Sequence, residues 1–253
     1  MIRQLIKTII ILTLFSTVVS AQTTRSRFTV KDTVEAITFC DNLLLEIAGG
    51  SQLLFSADAN NLDFKDRLTP HASISLGKWF SPVIGAGIKA EGYSLNGFST
   101  SEGEYTAAND NSLPFDQDPV RKEVTINPDG TYRHFIRYLN FSFNVYLSLT
   151  NLIFGYNEKS VFNLITSAGI GDMYVFNYKG IPSKSSLSGN AGLTMKFHLS
   201  PKLDLNLNSS ATAFPNEFEG RIAGSNDYEN YVTANIGLAY YFKGRKFINR
   251  QID

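Results

Sequence analysis

His71, His134 and His198 are the side chains of this chain whose ordinary pKa suits proton transfer near neutral pH. With Ser225 or Asp227 nearby, a histidine could act as the base that activates a nucleophile. No serine or acid stands at a recognisable offset from His71 or His134, so the spacing gives that chemistry no support. Asp110, Asp116 and Asp118 offer carboxylates to calcium, yet the acidic ladder, central glycine and closing glutamate of a calcium loop are missing. They read as solvated loop acids. Cys40 is the single cysteine, which leaves no disulfide within the chain and predicts an unpaired thiol. These patterns predict no catalytic residue, no metal site and no cofactor.

The charge balance is equally uninviting to nucleic acid: 23 Lys and Arg face 23 Asp and Glu, and no basic stripe stands out. A hydrophobic share of 43% and a mean hydropathy of -0.09 exclude both a disordered chain and a bundle of membrane helices. Export is written at the start. Arg3 and Lys7 precede an uncharged, largely apolar run from Ile9 to Val19, and Val19-Ser20-Ala21 supplies small residues where a signal peptidase reads. Residues 1–21 are therefore expected to be a signal peptide cleaved before Gln22, the apolar run being shorter than the roughly 20 residues of a spanning helix. Cleavage removes two basic side chains and leaves 21 basic against 23 acidic, a net of -2.

What would position any functional side chain is a set of strands. From Leu187 to Leu199, apolar or small residues alternate with Ser188, Asn190, Thr194, Lys196 and His198, the two-residue period of a strand with one apolar and one polar face. Leu203 to Phe214 repeats this, and between Phe135 and Leu149 asparagines and serines recur at every second place. A membrane helix would spread those polar groups around its lipid-facing circumference. Leu43–Phe55, His71–Phe80, Val83–Leu95, Leu164–Phe176 and Tyr228–Phe242 complete eight expected strands, with the faces of Leu164–Phe176 blurred by Gly169, Gly171 and Asp172.

Thirteen residues at about 3.3 Å each, tilted near 40°, rise about 33 Å and so exceed the roughly 25 Å apolar band of an outer-membrane barrel. Connections are asymmetric: Ser81-Pro82 and Ser200-Pro201-Lys202 are tight, whereas Asn96 to Arg133 and Pro215 to Asp227 are long and polar. Short periplasmic turns and longer extracellular loops are the membrane-barrel arrangement. Trp79, Phe80, Phe197 and Tyr240 to Phe242 fall near strand ends, where aromatic rings suit the headgroup level. The expected fold is all-β, an eight-stranded antiparallel up-and-down transmembrane β-barrel over residues 42–242. A periplasmic N-terminal extension (22–41) precedes it and a periplasmic tail (243–253) follows.

The last strand carries a more specific pattern. Asn235 is followed two places later by Gly237 and then by Tyr240 and Phe242, two aromatics separated by one residue. This resembles the closing signal of bacterial outer-membrane β-barrels, and with the leader and strand pattern the mature chain resembles the eight-stranded OmpA or OmpX type. The resemblance implies that Asn235, Gly237, Tyr240 and Phe242 are read by the barrel-assembly machinery. Members often end at the final aromatic, whereas Lys243 to Asp253 continue here; with eleven residues left, no peptidoglycan-binding domain is expected.

If the apolar face meets lipid, Glu46 and Gln52 point inward, as do Lys89, Glu91, Lys196 and Asp204. Charges withdrawn from water need partners, so Glu46, Lys89, Glu91, Lys196 and Asp204 are expected to form a lumen charge network. Eight strands leave room for side chains to fill the interior and not for an open channel. The expected role is structural or interactive at the cell surface, through extracellular loops that contact an unidentified ligand, in a monomer whose other partners are outer-membrane lipid and the assembly machinery. A narrow gated pore is the alternative. A lipid-modifying enzyme, as some barrels of this size are, is disfavoured by a lumen that offers Asn140, Asn144, Asn190, Asn206 and Asn208 where an acyl chain would need apolar walls. On this topology His71 and His134 lie near the extracellular rim and His198 near the periplasmic one, all three solvated. Leu149 to Phe154 is expected to form a helical turn that caps the barrel's lower end.

Overall fold

A computed structural model describes residues 32–35, 40–56, 62–99, 120, 123–215, 218 and 228–251. The leader, Asp110, Asp116, Asp118, Ser225 and Asp227 lie outside the described residues. In chain order the strands are β1 (Asp32–Glu35), β2 (Leu43–Phe55), β3 (Leu68–Trp79), β4 (Ile84–Ser99), β5 (Tyr132–Ser148), β6 (Phe162–Val175), β7 (Lys184–His198), β8 (Leu203–Pro215), β9 (Tyr228–Tyr241) and β10 (Ile248–Gln251). From β2 to β9 each strand pairs antiparallel with the next, and β9 returns to β2 from Leu44↔Tyr241 to Phe55↔Asn230, closing the expected eight-stranded barrel. β1 and β10 form a separate two-stranded antiparallel sheet within the stretches expected as extension and tail.

Alternation along each strand sets the two faces of the wall. β9 is the clearest case, buried and exposed at strictly alternating positions from Tyr228 to Tyr241. The buried side is the polar one. Thr233, Asn235, Asn206, Asn140 and Glu91 are buried inside the barrel, whereas Ile47, Phe141, Ile170, Leu187 and Ile236 on the outside are each more than half exposed. An apolar belt of this extent is stable against hydrocarbon and not against water. Among the described residues no helix is long and apolar enough to cross a membrane; the crossing is made by strands.

Two tight turns share one chemistry. Ser81 Oγ accepts from the amides of Val83 and Ile84, and Ser200 Oγ accepts from those of Lys202 and Leu203, with Pro82 and Pro201 next in each turn, where a fixed φ suits the bend. A short helix, Leu149–Phe154, starts with Ser148 Oγ accepting from the Asn151 amide at 3.1 Å and stops at Gly155, whose φ of 80° favours glycine. It does not cap the lumen as expected: Leu152, Ile153 and Phe154 are exposed, because the strands beneath already fill the lower mouth with aromatics.

Several strands outrun their expected limits. The β4–β5 ladder continues to Ser99↔Tyr132, past the Leu95 and Phe135 ends that periodicity suggested, so the connection shortens to residues 100–131. At Gly97 a Cβ would meet the His134 ring at 1.9 Å, so glycine is required for that ring to lie across the ladder. β6, whose faces were blurred in sequence, pairs regularly with β7 from Phe162↔Phe197 to Val175↔Lys184.

Candidate functional site

The lumen is built in layers, and a polar interior is held between two apolar seals. At the loop end, Leu54, Leu95, Ile136, Met173, Val175 and Phe214 converge with Val120, Ile181 and Phe218 from the connections, all buried. Tyr138 and Gln52 form the polar underside of this plug. The Tyr138 hydroxyl donates to Gln52 Oε1, and Gln52 Nε2 donates to the Ser94 and Pro70 carbonyls at 2.9 and 3.2 Å, so the amide is used at both ends.

Below it sits Glu91, 2% exposed. Lys89 Nζ lies 2.8 Å away, His71 Nε2 3.5 Å, Tyr231 Oη donates at 3.2 Å and Asn140 Nδ2 at 3.3 Å. Asn140 in turn accepts from Ser188, and His71 Nδ1 meets Asn235 Oδ1 at 2.9 Å. A carboxylate so surrounded is paired and hydrogen-bonded, which is the condition for keeping a charge inside a barrel. Glu46 occupies the middle layer and makes no ion pair among the described residues: its two oxygens accept from Asn206 and Asn208 at 2.8 and 2.6 Å, beside a cavity of about 70 Å³ that Lys89 also lines.

The third layer centres on Asp204, fully buried. His198 Nδ1 stands 2.7 Å from it, and Lys196 Nζ and Arg245 Nη1 each 3.4 Å. Lys196 also donates to the Tyr241 hydroxyl at 2.9 Å and lies over the Trp79 ring. Trp79, Leu44, Ile165 and Tyr241 pack here with Phe247 as the lower seal, and Trp79, Tyr241 and Phe247 also line a cavity of about 140 Å³. Arg245 and Phe247 come from the stretch expected as a periplasmic tail. Lys246 and Asn42 exchange two hydrogen bonds of 2.8 and 2.7 Å that fix this segment under the barrel. Tyr156 stacks edge-on against Phe247, and burial next to Glu158 pushes its hydroxyl above the usual phenol range.

The five charges expected in the lumen all point inward, but they do not meet as one network. Lys89 and Glu91 pair along a single strand, Lys196 and Asp204 pair across neighbouring strands at a lower level, and Glu46 stands between them on amides. The four residues of the closing pattern divide by face. Asn235 and Gly237 line the lumen, while Tyr240 and Phe242 lie outside with rings 5.9 Å apart at 86°.

The three histidines are not solvated at the rims: His71 and His134 are buried and His198 is held by Asp204, because each is in phase with the inward set of its strand. That phase was readable for His71, which shares its face with Ser73 and Ser75. No sequence signal pointed to Arg245, which follows β9 and has no period to betray it.

No protein-family model matches the chain. It is similar to Outer membrane protein 40 of Porphyromonas gingivalis, 28% identical over 229 residues that make up 88% of this chain and 53% of that protein. Outer membrane protein 41 of the same organism is 27% identical over 176 residues, 67% of this chain and 37% of that one. The chain thus spans about half the length, or less, of these curated relatives. Among solved structures it is similar to Neisserial surface protein A (TM-score 0.46, 7% identity, 80% of this chain and 98% of that one). It is also similar to the N-terminal β-barrel domain of Pseudomonas aeruginosa OprF (TM-score 0.42, 8% identity, 79% and 98%). The inside-out wall and the two curated outer membrane proteins agree on the location: the protein is an outer-membrane β-barrel.

Proposed function

We propose that this outer-membrane barrel is a closed scaffold that presents its loop end at the cell surface as a contact region and does not conduct. The double seal carries this reading. An apolar plug of fully buried residues fills the upper lumen, aromatics pack in the lower mouth, and the cavity between Glu46 and Glu91 is of about 70 Å³. Asymmetric connections orient it: the tight turns and the 243–247 segment gather at one end, taken as periplasmic, and the long connections 100–131 and 216–227 at the other. On this reading its lipid-facing partner is the outer membrane, and Tyr240 and Phe242 are recognised during insertion by the assembly machinery.

A lipid-modifying activity finds little support in the interior. His71 is engaged by Asn235 and Glu91, and His198 by Asp204, so neither leans on a hydroxyl nucleophile. Planar-bilayer recording of the refolded protein tests the scaffold reading: no discrete conductance steps are expected at moderate voltage. Stable steps at low voltage would establish the narrow pore in its place, and a changed lipid A mass spectrum in a deletion strain would establish the enzyme.

A further inference from the structure

The outside of the barrel wall is nearly free of charge, and its few ionic groups at the loop end are mostly satisfied. Arg133 pairs with Asp66, and Asp172 accepts from Ser185. Arg137 and Lys179 are different. Arg137 is exposed on the outer face of β5, its guanidinium carbon 3.7 Å from the centroid of the Tyr178 ring, and Lys179 Nζ approaches the same ring at 5.8 Å and Phe135 at 5.1 Å. Among the described residues neither cation has a carboxylate partner. Two like charges held on one ring repel, and an anion placed between them would relieve both.

Directly below Arg137 the wall is grooved. Ala72, Ala90 and Gly92 lie side by side on β3 and β4 where other outward positions carry large side chains, with Ile74, Leu139 and Phe176 as walls. The resulting open depression has a volume of about 560 Å³ and is mostly apolar, with Arg137 and Tyr93 among its lining residues. Tyr93 is 64% exposed although it is in phase with buried Glu91 and Leu95, so its ring is turned out to the groove. An apolar trough that ends in two unneutralised cations matches a lipid with acyl chains below and an anionic headgroup above.

We propose that this face binds a phosphorylated, multiply acylated glycolipid of the outer leaflet: a headgroup phosphate lies between Arg137 and Lys179, and one acyl chain lies in the trough over Ala72 and Ala90. The choice of lipid rests on the orientation proposed above, which puts the loop end in the outer leaflet. It also rests on charge, since a phosphate monoester carries up to two negative charges against two cations, whereas a phospholipid diester carries one.

Native mass spectrometry of the full-length refolded protein in detergent tests this with three probes: bisphosphorylated lipid A, the same lipid A after removal of both phosphates, and phosphatidylglycerol. Retention of the bisphosphorylated lipid at least about tenfold above the other two is expected. Arg137→Ala with Lys179→Ala should reduce it to the level of the dephosphorylated lipid, while Lys78→Ala, a rim cation at the opposite end, leaves it unchanged. Ala90→Phe, which fills the trough and keeps both cations, should also weaken retention. The heat-dependent gel mobility of each variant reports that the barrel has folded. Equal retention of the two lipid A forms, or a double variant that binds as well as the parent, overturns the proposal. Equal retention of phosphatidylglycerol overturns the glycolipid assignment. Because binding is read in detergent, its failure leaves the conductance result and the scaffold reading standing separately.

Discussion

A Cβ added at Gly237 would lie 2.8 Å from Glu46 Oε1 and 2.8 Å from the Ala48 Cβ, so the absent side chain of β9 is the space in which the central lumen carboxylate sits. Glu46 then reaches Asn206 and Asn208 on the other side of β9. The glycine of the closing pattern therefore has a part in the folded barrel, whatever it does during insertion. Asn235, the polar residue of the same pattern, likewise holds His71.

Gly237→Val should destabilise the barrel by about 1 to 3 kcal/mol through overpacking, measured by urea titration in lipid vesicles. Combined with Glu46→Ala, the loss should fall short of additivity by about 0.5 kcal/mol or more, with incomplete rescue because Ala48 stays in place. Strict additivity would show that the two side-chain positions do not share space.

Leu193 and Thr194 face opposite sides of β7, Leu193 outward and Thr194 donating to Asn208 in the lumen at 2.8 Å. Leu193→Arg puts a charge against hydrocarbon near mid-depth and should lose about 2 to 4 kcal/mol. Thr194→Ser keeps the hydroxyl and should stay within about 1 kcal/mol of the parent. The reverse order in the same titration would invert the assignment of faces.

Among the described residues Asp204 is the carboxylate within ion-pair distance of Lys196, His198 and Arg245. Asp204→Asn leaves buried cations uncompensated and should cost about 3 to 5 kcal/mol. Arg245→Ala should cost less, since Lys196 remains beside the carboxylate. A neutral effect of Asp204→Asn would mean that water reaches this layer freely.

Tyr240→Ala with Phe242→Ala is expected to slow insertion in cells more than it weakens the finished barrel, since both rings lie on the outer face and hold nothing in the lumen. Pulse-chase of the heat-modifiable form checks it. Normal insertion kinetics would remove any role of these rings in assembly.

The connection 100–131 should be cut by protease on intact cells, and a deletion of residues 101–118 should change stability by less than about 1 kcal/mol, because loop closure varies slowly with length. Val124 and Ile126 of that connection pack against the upper plug, and so does Val120. It is fully buried in the upper plug, so Val120→Ala should cost about 1 to 2 kcal/mol. Cleavage seen only after the outer membrane is opened would reverse the topology and, with it, the leaflet of the Arg137 groove.

The wall was legible from alternation alone. Side chains of a strand alternate whatever the strand pairs with, so Leu193 outside and Lys196 inside, the eight strands and the two serine-proline turns were all legible without a partner in sight. Which lumen residues meet was decided by closure of the barrel, which sets the height of each residue by register and stagger. That is why Glu46 finds amides 160 and 162 positions away, His71 finds Asn235, and Lys89 and Lys196 settle in separate layers. Aperiodic segments were beyond the reach of alternation altogether. Val120, Phe218 and Phe247 seal the ends, and Arg245 reaches Asp204, because the tertiary fold brings connections and the 243–247 segment over a lumen whose mouths would otherwise expose apolar rims, a demand that no local spacing records.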